Sequence, residues 1–175
     1  VQGDISSQFI TGFMFVLPLL NQDSTLTITE PYESKSYVNL TIQMLAKFGI
    51  EILETSSNSY LIKGNQHYKA QDVSVEGDFS QLAFFAVLGT LNNTLSCSNM
   101  DMSSIQGDKA ILNCIPSFKS DKDAITFTKK QPAPQTIDLS NCPDLGPILC
   151  VLASFTNGEN NIVNAARLPL KESDR

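Results

Sequence analysis

The 175-residue sequence predicts an α/β fold with internal pseudo-symmetry. Two observations carry that reading. Apolar residues switch between helical spacing and period-two runs along the chain, and the order of these elements recurs. Gly77-Asp78-Phe79-Ser80-Gln81-Leu82 echoes Gly3-Asp4-Ile5-Ser6-Ser7-Gln8-Phe9 with one residue fewer, and a third start lies at Cys142-Pro143-Asp144. Units of about 60 to 75 residues are too long for a stacked solenoid and suit repeated α/β modules.

In order, Ile5 to Leu20 is apolar almost all round and predicts a buried helix, capped by Ser6 or Ser7 and closed by Pro18. Asn21 to Ser24 is a turn, and Thr25 to Thr29 alternates as a strand. Val38, Ile42, Leu45 and Phe48 fall at helical spacing, with Gly49 placed as a left-handed C-cap. Glu51–Glu54 and Ser59–Lys63 predict two strands around a Ser56-Ser57-Asn58 turn. Val73 to Val75 is a short apolar crossing into the second unit. That unit repeats the order with a helix over Ser80–Thr90, a strand over Thr94–Cys97, a helix N-capped by Asp108 that ends at Pro116 and Phe118, and a strand over Asp123–Thr128. The third unit supplies a helix over Leu145–Phe155 and a strand over Asn161–Asn164.

Composition narrows the function. With 42% hydrophobic residues the chain has material for a core, and a net charge of −6 argues against a nucleic-acid partner. No apolar run reaches the roughly 18 residues of a membrane span. Phe9 to Leu20 carries Thr11, Gly12 and Pro18 and has no basic leader, so it does not read as a signal peptide. Cys97, Cys114, Cys142 and Cys150 lack metal or redox spacing and read as small buried hydrophobes of a reduced, cytoplasmic protein. His67, the only histidine, lies in a polar turn and reads as surface. The chain begins with Val1 and ends on a charged motif, which reads as a piece of something longer.

The helix starts hold the candidate chemistry. A helix N-terminus presents unpaired N–H groups and about half a positive charge, so it attracts anions. Ser6/Ser7, Ser80 and Asp144 open three successive units, either as plain caps or as parts of an anion site. Asp144 repels phosphate, so in such a site it suits a proton acceptor. Ser34-Lys35-x-Tyr37 offers a hydroxyl, an ammonium and a phenol suited to phosphate oxygens, or simply an exposed helix start. Lys171-Glu172-x-Asp174-Arg175 is either a solvated turn or a set of paired cations and carboxylates.

Taken together, Ser6-Ser7-Gln8-Phe9, Ser34-Lys35-x-Tyr37, Val75-Glu76-Gly77-Asp78, Pro143-Asp144 and Lys171-Glu172-x-Asp174-Arg175 resemble, in order and spacing, the enolpyruvyl transferases. The match is specifically to the 5-enolpyruvylshikimate-3-phosphate synthase family, from Gly3 to Arg175. The resemblance implies an inside-out α/β barrel of repeated βαβαββ units in two globules, with this chain a central fragment spanning parts of both. Residues 1–76 would be the last unit of one globule, and residues 77–175 the first unit and the start of the second unit of the other.

The resemblance also implies the chemistry. The 5-hydroxyl of shikimate 3-phosphate attacks C2 of phosphoenolpyruvate, C3 is protonated, and phosphate leaves a tetrahedral intermediate. Ser6, Ser7, Gln8, Ser34 and Tyr37 would hold shikimate 3-phosphate, and Asp144 would be the base at its hydroxyl. Lys171 would contact the same substrate, Glu172 would exchange the proton at C3, and Arg175 would bind phosphoenolpyruvate. No metal or organic cofactor is implied, and the full-length enzyme would be a monomer without membrane or nucleic-acid partners. The family's N-terminal lysine-serine motif, its Gly-rich loop and its C-terminal basic motifs have no counterpart here, so the chain by itself is expected to be nearly inactive. Arg167 stands where some relatives place a substrate-binding asparagine. Two other readings remain open: the sister enzyme acting on UDP-N-acetylglucosamine, and a non-catalytic α/β module that binds phosphorylated ligands.

Overall fold

The structure, a computed structural model, describes residues 1–166 and 168–170. The chain divides into two compact units, Val1–Ser74 and Val75–Arg175.

In the first unit, α1 (Ser7–Val16) runs into a 3-10 turn at Leu17–Leu19, where Pro18 ends it. β1 (Ser24–Thr27), α2 (Lys35–Lys47), β2 (Ile52–Ser56) and β3 (Ser59–Ile62) follow. The strands form an antiparallel sheet in the order β1-β3-β2, with Leu26 opposite Tyr60 and Ile52 opposite Ile62. Ile10 and Met14 of α1 and Val38 and Leu45 of α2 close over Leu26, Tyr60 and Ile62 of the sheet. As the spacing predicts, Gly49 turns the chain out of α2 at φ +81°, and Ile50 N–H closes back on the Leu45 carbonyl at 3.0 Å.

The second unit repeats the plan with α3 (Phe79–Leu91), β4 (Leu95–Ser98), α4 (Ile111–Cys114), β5 (Phe118–Ser120) and β6 (Ala124–Phe127). Its sheet has the matching order β4-β6-β5, again antiparallel throughout. β7 (Thr136–Asp138), α5 (Gly146–Ser154) and β8 (Asn161–Val163) then begin a third module, with β7 and β8 parallel. The parallel bridge of Gln2 with Thr29 across α1 is the same βαβ arrangement in the first unit. Phe79, Phe127, Ile111, Ile125, Leu145 and Leu149 anchor one core around α3 and α5. Cutting a buried phenylalanine such as Phe127 to alanine is worth about 3 to 5 kcal/mol. Among the described residues no helix is long and apolar enough to cross a membrane.

Several expectations need correction. The helix expected after Asp108 shrinks to a 3-10 turn at Gly107–Ala110 and the four residues of α4; Asp108 lies inside that turn and is 3% exposed rather than capping it. Pro116 forces Ile115 into extended backbone, so the helix cannot propagate. β5 and β7, three residues each, are strands that the sequence did not signal. Cys150 is exposed, unlike the other three cysteines. The helix expected to be buried over Ile5–Leu20 is buried on one side only: Phe9, Phe13 and Val16 of α1 face solvent, as do Phe84 and Leu88 of α3 and Val151 on α5.

Candidate active site

Two helix openings meet at one end of the first unit. Gly3 N–H donates to the Thr29 carbonyl at 3.2 Å, and Glu33 N–H donates to the Gly3 carbonyl at 3.2 Å. Gly3 stands four residues before the start of α1 and Glu33 two before α2, so one pair of hydrogen bonds ties both starts together. This junction has no room for a side chain. A Cβ on Gly3 would lie 2.7 Å from the carbonyl oxygens of Pro31 and Thr29.

Ser6 caps α1: its hydroxyl oxygen accepts from Gln8 N–H at 3.2 Å. Ser7 is half-buried in the first turn and Gln8 is exposed. At the second opening Ser34 adopts a left-handed backbone, φ 56°, makes no capping hydrogen bond of its own and is 1% exposed. That conformation costs a non-glycine residue on the order of 1 kcal/mol. Tyr37 N–H donates to the Ser34 carbonyl at 3.1 Å, and the half-buried Tyr37 side chain extends from the same turn. Neither α1 nor α2 has an acidic residue in its first turn, so no carboxylate within either turn offsets the positive end of its dipole. The structure thus brings Ser6, Ser7, Gln8, Ser34 and Tyr37 to one end of one unit.

Lys35 departs from expectation. Its ammonium donates to Glu54 Oε1 at 2.6 Å and to the Ser57 carbonyl at 2.8 Å, and it lies 5.7 Å from the centre of the Tyr32 ring. The Glu54 contact raises its pKa. Lys35 therefore ties α2 to the β2–β3 hairpin instead of presenting a cation for phosphate. Beneath it the Tyr32 and Tyr60 hydroxyls share a 3.0 Å hydrogen bond, and burial raises the pKa of both phenols.

The opening of α3 is closed by its own chain. Asp78, not Ser80, is the N-cap: its Oδ1 accepts from both the N–H and the hydroxyl of Ser80 at 2.8 Å. Gln106 Oε1 accepts from Phe79 N–H at 2.9 Å, while its amide donates to Glu76 and to the Gly77 carbonyl. A carboxylate and an amide oxygen leave this end unsuited to an anion, which removes Ser80 from the expected set of anion-attracting starts.

Asp144 lies half-buried in the 3-10 turn Pro143–Leu145, immediately before α5. The turn is pinned from below by Cys142, whose thiol donates to the Asp138 carbonyl at 3.4 Å. Burial, aided by the negative charges of Asp108, Asp138 and Asp144, pushes the Cys142 thiol up to about 12. Beside the turn a cavity of about 220 Å³ is lined in part by Asp138, Cys142 and Leu145. Lys171, Glu172 and Arg175 lie outside the described residues, as does Arg167. Among the described residues no three His, Cys, Asp or Glu side chains gather as for a metal ion, and His67 is exposed in its turn. Sequence reasoning missed Asp138 and Asn164, which share a 2.8 Å hydrogen bond; an aspartate two residues before a serine, the pattern of an Asx turn, was the available signal.

The fold is that of the enolpyruvyl transferases. EPSP synthase from Acinetobacter baumannii superimposes with a TM-score of 0.74 at 19% identity, over 99% of this chain and 42% of that one. The enolpyruvyl transferase NikO from Streptomyces tendae superimposes with a TM-score of 0.67 at 15% identity, over 85% and 37%.

Within that class, the chain belongs to the EPSP synthase (3-phosphoshikimate 1-carboxyvinyltransferase) family, whose sequence profile matches residues 1–175. It is 50% identical to a 3-phosphoshikimate 1-carboxyvinyltransferase of Clostridium acetobutylicum, over 99% of this chain and 41% of the relative. It is 46% identical to the protein of that name from Clostridium kluyveri, over 100% and 42%. The chain therefore spans about two fifths of the length of these relatives.

Proposed function

We propose that this chain is part of an enzyme that transfers the enolpyruvyl group of phosphoenolpyruvate to the 5-hydroxyl of shikimate 3-phosphate. In this reading residues 1–76 form the last unit of one globule, and residues 77–175 the first unit and the start of the second unit of the other. The observation that carries the reading is the pair of helix openings joined at Gly3, with Ser6, Ser7, Gln8, Ser34 and Tyr37 around them and no acid in either first turn. That end suits a phosphorylated, polyhydroxylated substrate: amides and hydroxyls take the phosphate and ring oxygens.

In this reading Asp144 accepts the proton of the 5-hydroxyl as the oxygen bonds to C2 of phosphoenolpyruvate, while Glu172 delivers a proton to C3. Loss of that C3 proton with departure of phosphate from C2 then yields the enol ether. Lys171 contacts shikimate 3-phosphate, and Arg175 holds the phosphoenolpyruvate anion. Two carboxylates with opposite proton duties need separate surroundings. A half-buried Asp144 at the head of α5 is consistent with one of them. The same reading makes the parent a cytoplasmic monomer without a nucleic-acid partner, in keeping with the net charge of −6.

The test is Asp144→Ala in the full-length protein. Binding of shikimate 3-phosphate, followed by calorimetry, is expected to persist within about tenfold. Turnover is expected to fall by 10²-fold or more, the scale of a lost general base. Retained turnover, or tighter binding of UDP-N-acetylglucosamine than of shikimate 3-phosphate by the unaltered protein, refutes the assignment.

A further inference from the structure

β7 and β8 are parallel, so the chain leaves both at the same end of their sheet, and the register continues one step beyond: Leu139 N–H donates to the Val163 carbonyl at 3.1 Å. Asp138 ends β7. Its Oδ1 accepts from Ser140 N–H at 2.8 Å and from Asn164 Nδ2 at 2.8 Å, across 26 positions of sequence. Asn164 turns out of β8 in the left-handed region at φ 58°, which aims its amide back at the carboxylate. The Asn164 and Ser140 hydrogen bonds together hold the Asp138 carboxyl below the usual carboxylate range. Below it, Cys142 N–H donates to the Leu139 carbonyl at 3.3 Å and Leu145 N–H to the Cys142 carbonyl at 3.1 Å. Hydrogen bonds thus tie Ser140 and Cys142 to Asp138, Cys142 to Leu139 and Leu145 to Cys142, and the peptide chain carries these ties into the turn bearing Asp144.

Both Asp138 and Asn164 are exposed, where one neutral or half-charged contact adds little to stability. Their placement matters more than their energy, since they fasten the Asp144 loop to the strand that leads, seven residues on, to Lys171. We propose that Asp138, held by Asn164, is a positioning residue that sets where Asp144 stands relative to the substrate hydroxyl. This rests on the assignment of Asp144 as the base. A shift of about 1 Å in a catalytic group costs on the order of 10²-fold in rate, so a slack loop shows in kcat rather than in substrate affinity.

The experiment is steady-state kinetics on the full-length protein with both substrates varied, comparing Asp138→Ala, Asp138→Asn, Asn164→Gly and Asp144→Ala, with melting temperatures alongside. Asp138→Ala is expected to lower kcat about tenfold or more while each KM moves less than threefold. Asp138→Asn keeps an acceptor oxygen for Ser140 and Asn164, and is expected to return kcat to within about threefold of the parent. Asn164→Gly keeps the left-handed turn but removes the donor, and supplies the same reading if Asp138→Ala fails to fold. A kcat within twofold of the parent in a folded Asp138→Ala or Asn164→Gly variant overturns the inference, as does an Asp138→Asn no better than Asp138→Ala. If Asp144→Ala keeps its turnover, the base assignment falls and takes the inference with it. An inactive Asp144→Ala beside an unimpaired Asp138→Ala removes the positioning role alone.

Discussion

Replacing Gly3 with alanine tests whether the joint between the two helix openings is as tight as its geometry states. The added methyl would stand 2.7 Å from the Thr29 and Pro31 carbonyl oxygens and 2.8 Å from Ile28 Cγ2, and Ile28 is fully buried. None of these atoms is the free end of a flexible side chain, so backbone has to move. Overpacking of this kind costs about 1 to 3 kcal/mol. Weakening the Gly3–Thr29 hydrogen bond adds about 1 kcal/mol. The stiffer unfolded chain returns about 0.4 to 1 kcal/mol. The net expectation is a destabilisation of about 2 kcal/mol, read as a lower urea midpoint at unchanged slope. Because the methyl pushes the Thr29–Glu33 segment away from α1, affinity for shikimate 3-phosphate is expected to fall in the same variant. Unfolding within 0.5 kcal/mol of the parent, with unaltered binding, refutes the claim that Gly3 holds the two openings in place.

The buried tyrosine pair predicts an alkaline limit. Tyr32, Tyr60 and Lys35 all have raised pKa values in the folded chain, so their stabilisation is complete below the unfolded values near pH 10 and is lost as pH climbs through the folded ones. Tyr32→Phe strands the Tyr60 hydroxyl and is expected to cost about 1 to 2 kcal/mol at pH 7. Removing both hydroxyls is expected to cost less than the single change and to flatten the loss above pH 10, followed by urea unfolding across pH 7 to 11. The cysteines divide by exposure: iodoacetamide at pH 8 is expected to label Cys150 within minutes and to leave Cys142 unmodified until the chain unfolds, read by peptide mass.

Much of this architecture was legible because each unit carries its own punctuation. Pro18, Gly49 and Ser6 act through backbone rules that hold whatever surrounds them, and the structure obeys them at each position. The recurrence at Gly3 and Gly77 likewise carried into two sheets of the same order. What was not legible depended on partners distant in sequence. Lys35 looked like a free cation because Glu54 lies 19 residues away, and Ser80 looked like a cap because a serine and an aspartate two positions apart are equally good candidates. Asp138 and Asn164 were invisible as a pair for the same reason. In the proposed site, the residues on α1 and at the start of α2 could be read from motif alone; the brace under Asp144 needed the register of two short parallel strands.

The solvent-facing phenylalanines of α1 and α3 change how variation in this chain should be weighed. Phe9 is 61% exposed and Phe84 51%, values that on an ordinary exterior would mark positions free to drift. Here they sit on helices that are apolar almost all round, in a polypeptide two fifths the length of its relatives. If the rest of the larger enzyme proposed above covers these flanks, a lysine introduced at Phe9 is penalised as a buried charge and not tolerated as a surface one. In that case accessibility taken from this chain by itself understates how strongly those positions are constrained.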